Sequence, residues 1–334
     1  MSKPVSSHGI LRTLCIGFSR DRAEVPLWVK AVLATGILLI IGAISAPGSV
    51  SETAFLSLLP FVAILGVASI GQHLVIQQRG LDLSVAGVVS FSAVLVTALP
   101  ARDAGIGLTP GYVAMALGMG AAAGAVNGIF VSAFRVPSLV TTIGVNALLI
   151  GATLIISGGT PSAAPESLSS FALNRTIGIP NTLLVLIGFV ALVAFVIGRT
   201  AIGRRFVAVG ANPNAAHAIA IPVEFYRVFT YIFAGFCYAV AGVMLAGFLS
   251  VPSLFSGNLY MLATVAAVVV GGNSIAGGGR SSVLATVIGA FFLTFLGQLV
   301  LSVGLERSMQ GIVQAAIVIG GVAMPIMAQR LRPA

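Results

Sequence analysis

Fourteen of this chain's seventeen basic residues fall in every second gap between its long apolar stretches. Lys3, Arg12, Arg20, Arg22 and Lys30 gather at the N-terminal end. Arg79, Arg135, Arg199, Arg204, Arg205, Arg227, Arg280, Arg330 and Arg332 follow in alternate gaps, while the opposite set holds only Arg102, Arg175 and Arg307. Basic residues are retained on the cytoplasmic side of a membrane, so the pattern predicts an even number of spans with both termini cytoplasmic. Composition agrees, with 58% hydrophobic and 7% charged residues. So few charges cannot cover the surface of a soluble chain of this length, and most of that surface must face lipid or other membrane helices.

A bilayer core needs roughly 20 apolar residues per helix. The sequence offers about ten such stretches: Leu27–Ile44, Phe55–Val75, Leu83–Leu99, Gly111–Phe134, Ser138–Ile156, Thr182–Ile197, Val228–Phe248, Leu259–Val270, Val283–Val300 and Met309–Met327. The expected fold is all-α and polytopic. A single transmembrane domain over 27–328 is flanked by cytoplasmic tails at 1–26 and 329–334. The eighth stretch is short and runs into Gly271-Gly272-Asn273-Ser274-Ile275-Ala276-Gly277-Gly278-Gly279, so it reads as a complete span or as a broken, re-entrant one. Free backbone groups at membrane depth are tolerated only where protein or a cavity covers them. Residues 1–26 lack the apolar core and small-residue cleavage site of a signal peptide, which leaves the first span as the insertion signal. Cys15 and Cys237 imply no disulfide framework.

Small residues recur four apart in two spans: Ala116, Gly120, Gly124 and Gly128, then Gly235, Ala239, Gly242 and Ala246. Such stripes let helix backbones approach closely in lipid, and they read chiefly as helix seams, with a translocation path as the alternative.

Catalytic chemistry is missing. His8, His73 and His217 stand far apart and keep no metal-ligand spacing with Cys or carboxylates. No Gly-x-Ser-x-Gly elbow occurs, and no Gly-Lys-Ser/Thr ending follows a glycine-rich run, so no P-loop is available for ATP. No cofactor is expected on this chain, and the positive charge reads as a topology signal, without the aromatic interleaving of a nucleic-acid site. Glu52, Asp103, Glu166 and Glu306 fall in outer loops and Asp21, Glu24 and Glu224 in inner ones. Ion-coupled carriers carry ionisable groups in mid-membrane. Here only Asp82 lies close to the membrane, and His73 reads as a packing residue. The chain therefore resembles a pathway without its own energy source.

The longest inner loop, 198–226, carries Arg199, Arg204 and Arg205 near the membrane. Asn212 followed by Pro213 is a helix-start signal, a side-chain acceptor for free N–H groups and then proline at the first helical position. Asn214, Ala215, Ala216 and His217 continue a helix of one or two turns before Pro222. Its form is that of a docking element. The plainer alternative is an ordinary structured loop with positive-inside arginines.

Four blocks resemble the permease subunits of ribose/xylose/arabinose-type ATP-binding-cassette sugar importers. They are Gly80-Leu81-Asp82-Leu83-Ser84-Val85; Asn127-Gly128 with Val136-Pro137-Ser138-Leu139-Val140-Thr141-Thr142-Ile143-Gly144; Gly203-Arg204-Arg205 through Val209-Gly210 to Asn212-Pro213 and Ala215-Ala216; and Ala266-Ala267-Val268-Val269-Val270-Gly271-Gly272 with Ser274 and Gly277-Gly278. The resemblance runs from about Phe55 to the C-terminus. It implies a dimer with a second permease copy, like or unlike, in a bacterial cytoplasmic membrane. A periplasmic or extracellular sugar-binding protein would deliver solute, and two ATPase subunits, using ATP and Mg, would seat the loop bearing Arg204, Arg205, Asn212, Pro213, Asn214, Ala215, Ala216 and His217. Asp82, Ser84, Asn127, Thr141, Thr142 and Asn146 become candidates for gate and path, since sugars need directional hydrogen bonds more than charge. Asp82 has a second reading, as a cap at the third span's start paired with Arg79.

Two departures stand out. Tyr260-Met261-Leu262-Ala263 replaces the family's common Tyr-Glu-Leu-Asp, and Asn214 replaces an acid after Asn-Pro. Rival expectations are an importer of the same build for a branched-chain amino acid or nucleoside, and a self-powered carrier or channel.

Overall fold

With no water to pair with in the lipid core, backbone groups must bond within their own segment, and the apolar runs accordingly become helices. The computed structural model describes residues 26–102, 109–278, 281–306, 309–316 and 319–320. Within them lie α1 (Leu27–Ser45), α2 (Glu52–Gln77), α3 (Val85–Arg102), α4 (Thr109–Ser132), α5 (Ser138–Ser157), α6 (Glu166–Leu173), α7 (Asn181–Arg199), α8 (Ala201–Ala211), α9 (Pro213–Ala218), α10 (Val223–Leu249), α11 (Asn258–Val270) and α12 (Val283–Ser302). A two-residue hairpin, β1 (Arg175–Thr176) and β2 (Ile179–Pro180), joins α6 to α7. Nine of the ten expected spans thus have their helix. The tenth continues helically over 309–316 and at 319–320, and the rest of it, with both tails, lies outside the described residues.

Seven of these helices, α1, α2, α4, α5, α7, α10 and α12, are long and apolar enough to cross a bilayer. The other two spans fall short for different reasons. At 13 residues, α11 is about 20 Å long against a core of about 30 Å. Its N-cap, Gly257, is buried in the bundle and lies so close to α3 that a Cβ there would overlap the Ala86 carbonyl. Its N–H donates to Ser90 Oγ at 2.9 Å. Of the two readings of the eighth stretch, the structure takes the broken one. The third span is the second exception: its helix starts at Val85, and residues before it run as non-helical chain.

Hydrogen bonds between connections establish which ends lie together. At one end the α2–α3 connection bonds to α8 through Gln78 and Arg79, to α5 through Leu81, and to the glycine loop through Gln77. At the other end Ala164 bonds to Ser250, Ser167 to Thr109, and Gln298 to Ser49. Odd and even gaps therefore separate to opposite ends, as the arginine pattern requires.

The core is built on α2, α3 and α10. Every side chain of α3 from Val85 to Ala98 is buried, as are most of α2 beyond Val62 and α10 from Ala234 to Gly247. Outward faces of α1, α5 and α7 are apolar, with Ile44, Ile155 and Phe195 among their exposed side chains. That inversion of the soluble pattern suits lipid or a second permease. The two small-residue stripes pack against each other and against α3. A Cβ on Gly124 would overlap the carbonyl of Tyr231, one on Gly120 would meet Ala239 and the Gly235 carbonyl, and one on Gly242 would meet Val89 and Ser92 of α3. The seam reading is the correct one.

Three local features escape the hydropathy pattern. Outside the membrane, α6 lays Leu168 and Ala172 onto Gly247 of α10. Inside, α7 runs on to Arg199 and α8 forms a separate helix, its first turn capped by Thr200, whose hydroxyl accepts from Gly203 N–H at 3.1 Å. Ala263, where the family often carries an acid, is buried in the core beside Tyr260.

The seam makes an opposed pair of predictions. Gly124→Ala, forced against backbone, should lower stability by about 1–3 kcal/mol. Gly118→Ala on the same helix meets nothing within 4 Å and should leave stability equal or raise it slightly through helix propensity. Thermal unfolding of the purified variants in detergent compares the two directly.

Candidate translocation and docking site

The segment before α3 sets the geometry of the site. Gly80 to Ser84 is not helical, so its N–H groups need partners from elsewhere. Gly80 N–H returns to the Val75 carbonyl at 3.0 Å, while Leu81 and Leu83 find their partners on one face of α5. Leu81 N–H donates to Ser138 Oγ at 3.3 Å, Leu83 N–H to Thr142 Oγ1 at 3.1 Å, and Gly87 N–H, in the first turn of α3, to Asn146 Oδ1 at 2.7 Å. The match is metric. Two residues of extended chain rise about 6.6 Å and four residues of helix about 6 Å, so the step from Leu81 to Leu83 matches the step from Ser138 to Thr142, and Asn146 meets the chain again four residues on, inside α3. A Cβ at Gly87 would touch Asn146 and Leu149, so this close approach needs glycine.

Asp82 and Ser84 point the other way, into the bundle. Ser84 donates both its N–H, at 2.9 Å, and its hydroxyl, at 2.6 Å, to Asp82 Oδ1. Asn127 of α4 donates its amide to Ser84 Oγ at 2.8 Å. All three are fully buried, and Asp82 Oδ2 and Asn127 Oδ1 are left without donors. Five of the six candidate gate and path residues therefore converge on one break in the third span. Thr141 stands apart: it is partly exposed and turns its hydroxyl to its own Pro137 carbonyl.

The expected pairing of Asp82 with Arg79 does not form. That expectation assumed helical spacing, but Arg79 has φ 64° and swings its guanidinium to α8, donating to the Gly210 carbonyl at 2.9 Å and to that of Ala211. Asp82 instead caps the chain locally through Ser84.

At the inner end Asn212 starts α9 as the sequence predicts. Its Oδ1 accepts from Ala215 N–H at 3.1 Å, and Pro213 takes the first helical position. The helix stops at Ala218, short of Pro222. Arg204, Arg205, Asn212, Asn214, Ala215 and His217 are exposed, Pro213 is partly so, and Ala216 alone is buried and anchors the helix. The result is a one-and-a-half-turn projection of small side chains, flanked by two arginines on α8.

A third polar group was not visible in the sequence as a unit. His73 of α2 shares a hydrogen bond with Thr286 of α12 at 2.8 Å, and Asn273 of the glycine loop donates to Thr286 Oγ1 at 3.0 Å while accepting from Ser282 N–H at 2.8 Å. Only the isolated His and the Asn within the glycine run hinted at it. The network fastens the end of α11 to α2 and α12.

An all-helical bundle with broken spans, buried hydroxyl and amide groups at the breaks and an exposed inner projection defines a membrane permease. Residues 54–322 match the family model described as the branched-chain amino acid transport system / permease component, and the chain belongs to that family. It is 28% identical over 296 residues to the ribose import permease protein RbsC of Escherichia coli strain K12, covering 87% of this chain and 91% of that protein. It is 34% identical to the autoinducer 2 import system permease protein LsrC of Enterobacter sp. strain 638, over 69% of this chain and 66% of that one. A probable ABC transporter permease protein, YphD of E. coli K12, is 29% identical across 90% of this chain and 89% of its own. No solved structure matches. The chain is a multi-pass permease of the bacterial inner membrane, and its family is one of transporter subunits, not of catalysts.

The ladder on α5 is testable in isolation. Thr142→Val keeps the shape but leaves the Leu83 N–H unpaired, and should cost about 1–3 kcal/mol. Thr141→Val, one residue away, should be near neutral. Asp82→Asn retains an oxygen for Ser84 and should melt with the parent, whereas Asp82→Ala should not. Denaturation of the four variants in one detergent checks the set.

Proposed function

We propose that this chain is the translocating subunit of an ATP-driven importer for a monosaccharide, a pentose, hexose or related polyol. Correspondence with a ribose import permease across nearly the whole of both chains carries the reading. The groups gathered at the break in the third span support it. Apart from Asp82 they are hydroxyls and amides, and the two buried oxygens without donors, on Asp82 and Asn127, are acceptors for solute hydroxyls. The path runs past this break, with Asp82, Ser84, Asn127, Thr142 and Asn146 as its contacts and Thr141 left outside it.

Energy enters from outside the chain. ATP and Mg are consumed on a separate ATPase that seats α9 and the arginines of α8, with Asn212, Pro213, Asn214, Ala215, Ala216 and His217 forming the contact. A periplasmic or extracellular sugar-binding protein delivers solute at the opposite face, and a second permease copy completes the membrane unit. The description of the matched family favours one rival, a branched-chain amino acid, which the same experiment addresses.

Gentle purification of the tagged chain from its native membranes, followed by mass spectrometry, should recover a Walker-motif ATPase in stoichiometric amount together with a binding protein. Screening that binding protein against sugars and against branched-chain amino acids decides the solute class; affinity for amino acids alone would refute the sugar. Ala215→Trp places a ring on the exposed face of α9. It should reduce ATPase recovery by about tenfold, or about 1.4 kcal/mol, with the melting temperature unchanged. A well-folded chain that stays alone after crosslinking would favour the self-powered carrier.

A further inference from the structure

We propose that Arg79 is the relay that ties the docking helix to the gate, an inference that rests on the docking reading above. Three inner segments meet at this residue. Its Nε–H donates to the carbonyl of Gly210 at 2.9 Å and a terminal nitrogen to that of Ala211, the last two residues of α8. Asn212, the cap of α9, follows immediately. Gln78 adds a second fastening, its amide donating to the Phe206 carbonyl of α8 at 2.8 Å. The glycine loop closes the junction: Gly278 N–H donates to the Gln77 carbonyl at 3.2 Å, and a Cβ on Gly277 or Gly278 would press on Arg79 or Gly210.

On its other side Arg79 leads directly into the extended segment. Only Gly80 separates it from Leu81, which is already bonded to Ser138, and Asp82 comes next. There is no slack between docking helix and gate. A displacement of α9 moves the end of α8, and a planar guanidinium bonded at two points transmits it as a rigid fork where a single donor would pivot. The cation also sits where the last carbonyls of α8 concentrate negative charge.

Backbone conformation is compatible with this role without singling the residue out, since Arg135, Ile177, Ala220 and Ser250 also have positive φ. A left-handed residue is usually glycine, because a side chain there is strained. Glycine at 79 would hold the turn freely, yet the position carries an arginine with φ 64°. Backbone needs alone do not explain that residue. Its two hydrogen bonds to α8 do, and they make Arg79 a positioning residue that acts on the gate without touching solute.

The same conformation provides the test, since Arg79→Gly relieves the strain while deleting the fork. Leu81→Cys, half-buried beside the junction, serves as reporter in a Cys15→Ser chain; Cys237 is fully buried and silent. Maleimide labelling is measured on the complex with its ATPase, with and without ATP plus orthovanadate. The labelling rate should change on nucleotide trapping when Arg79 is present. In Arg79→Gly the ATPase should be recovered in equal amount and the nucleotide response lost, with Arg79→Lys intermediate. A full response in Arg79→Gly, or none with Arg79 present, would overturn the relay. Loss of the ATPase from Arg79→Gly would also overturn it, making the residue a support for docking alone. Failure of the docking reading shows separately, as an ATPase absent from the unsubstituted chain, and would remove both.

Discussion

Everything at the inner half of this permease depends on how five residues of non-helical chain are made tolerable within the packed bundle. An unpaired N–H in an apolar medium costs several kcal/mol, so Gly80–Ser84 could not persist there without donors and acceptors placed to order. The face of α5 supplies Ser138 and Thr142 at the spacing of the extended chain, and Asn146 to the first turn of α3. Once that ladder exists, α3 begins within the bundle, Asp82 and Ser84 are delivered to its interior, and α3 can be buried on every face.

The second broken span follows from the first. Because α3 starts deep, its opening turns are available to a chain entering from the other side, and Gly257 comes into contact there before α11 runs inward to the glycine loop. Two short helices therefore meet near the same level, one bonded to α5 and the other to α2 and α12 through His73, Thr286 and Asn273. The close seam of α4 on α10 holds the surrounding helices while these inner segments carry irregular backbone. Rigid small-residue packing and irregular chain are complementary parts of one design.

Much of this was legible beforehand, and the rest was hidden for identifiable reasons. Apolar length and alternating arginines are summed over many residues, so spans and orientation survive any single ambiguity. The Asn212-Pro213 start is local chemistry and appears as read. Hydropathy starts the third span at Leu83, two residues before α3, because it does not distinguish a buried extended chain from a buried helix, and Leu83 and Val85 are apolar either way. The signal of the break lay elsewhere, in the four-residue spacing of Ser138, Thr142 and Asn146 on a different helix. Arg79 was assigned to Asp82 by a helical rule that its positive φ cancels. The outer helix α6 and inner helix α8 are too short or too polar to stand out by hydropathy.

The arrangement also accounts for the scarcity of charge. A carrier that runs on an ion gradient must hold an ionisable group where the ion can reach it. Here the one acid at membrane depth is fully buried and bonded to Ser84, and the buried His73 is tied into a structural network. His73 thus serves structure, and Asp82, with one oxygen committed to Ser84, is left for the solute contact proposed above. Among the described residues most of the exposed arginines lie instead at the inner surface, Arg204 and Arg205 on α8 and Arg79 at the turn bonded to it. On the relay proposed above, work delivered there would reach the gate through a few hydrogen bonds to backbone carbonyls, without moving charge through the membrane. An external motor can drive such a pathway mechanically, and an apolar bundle with irregular backbone at two breaks is the form that allows it.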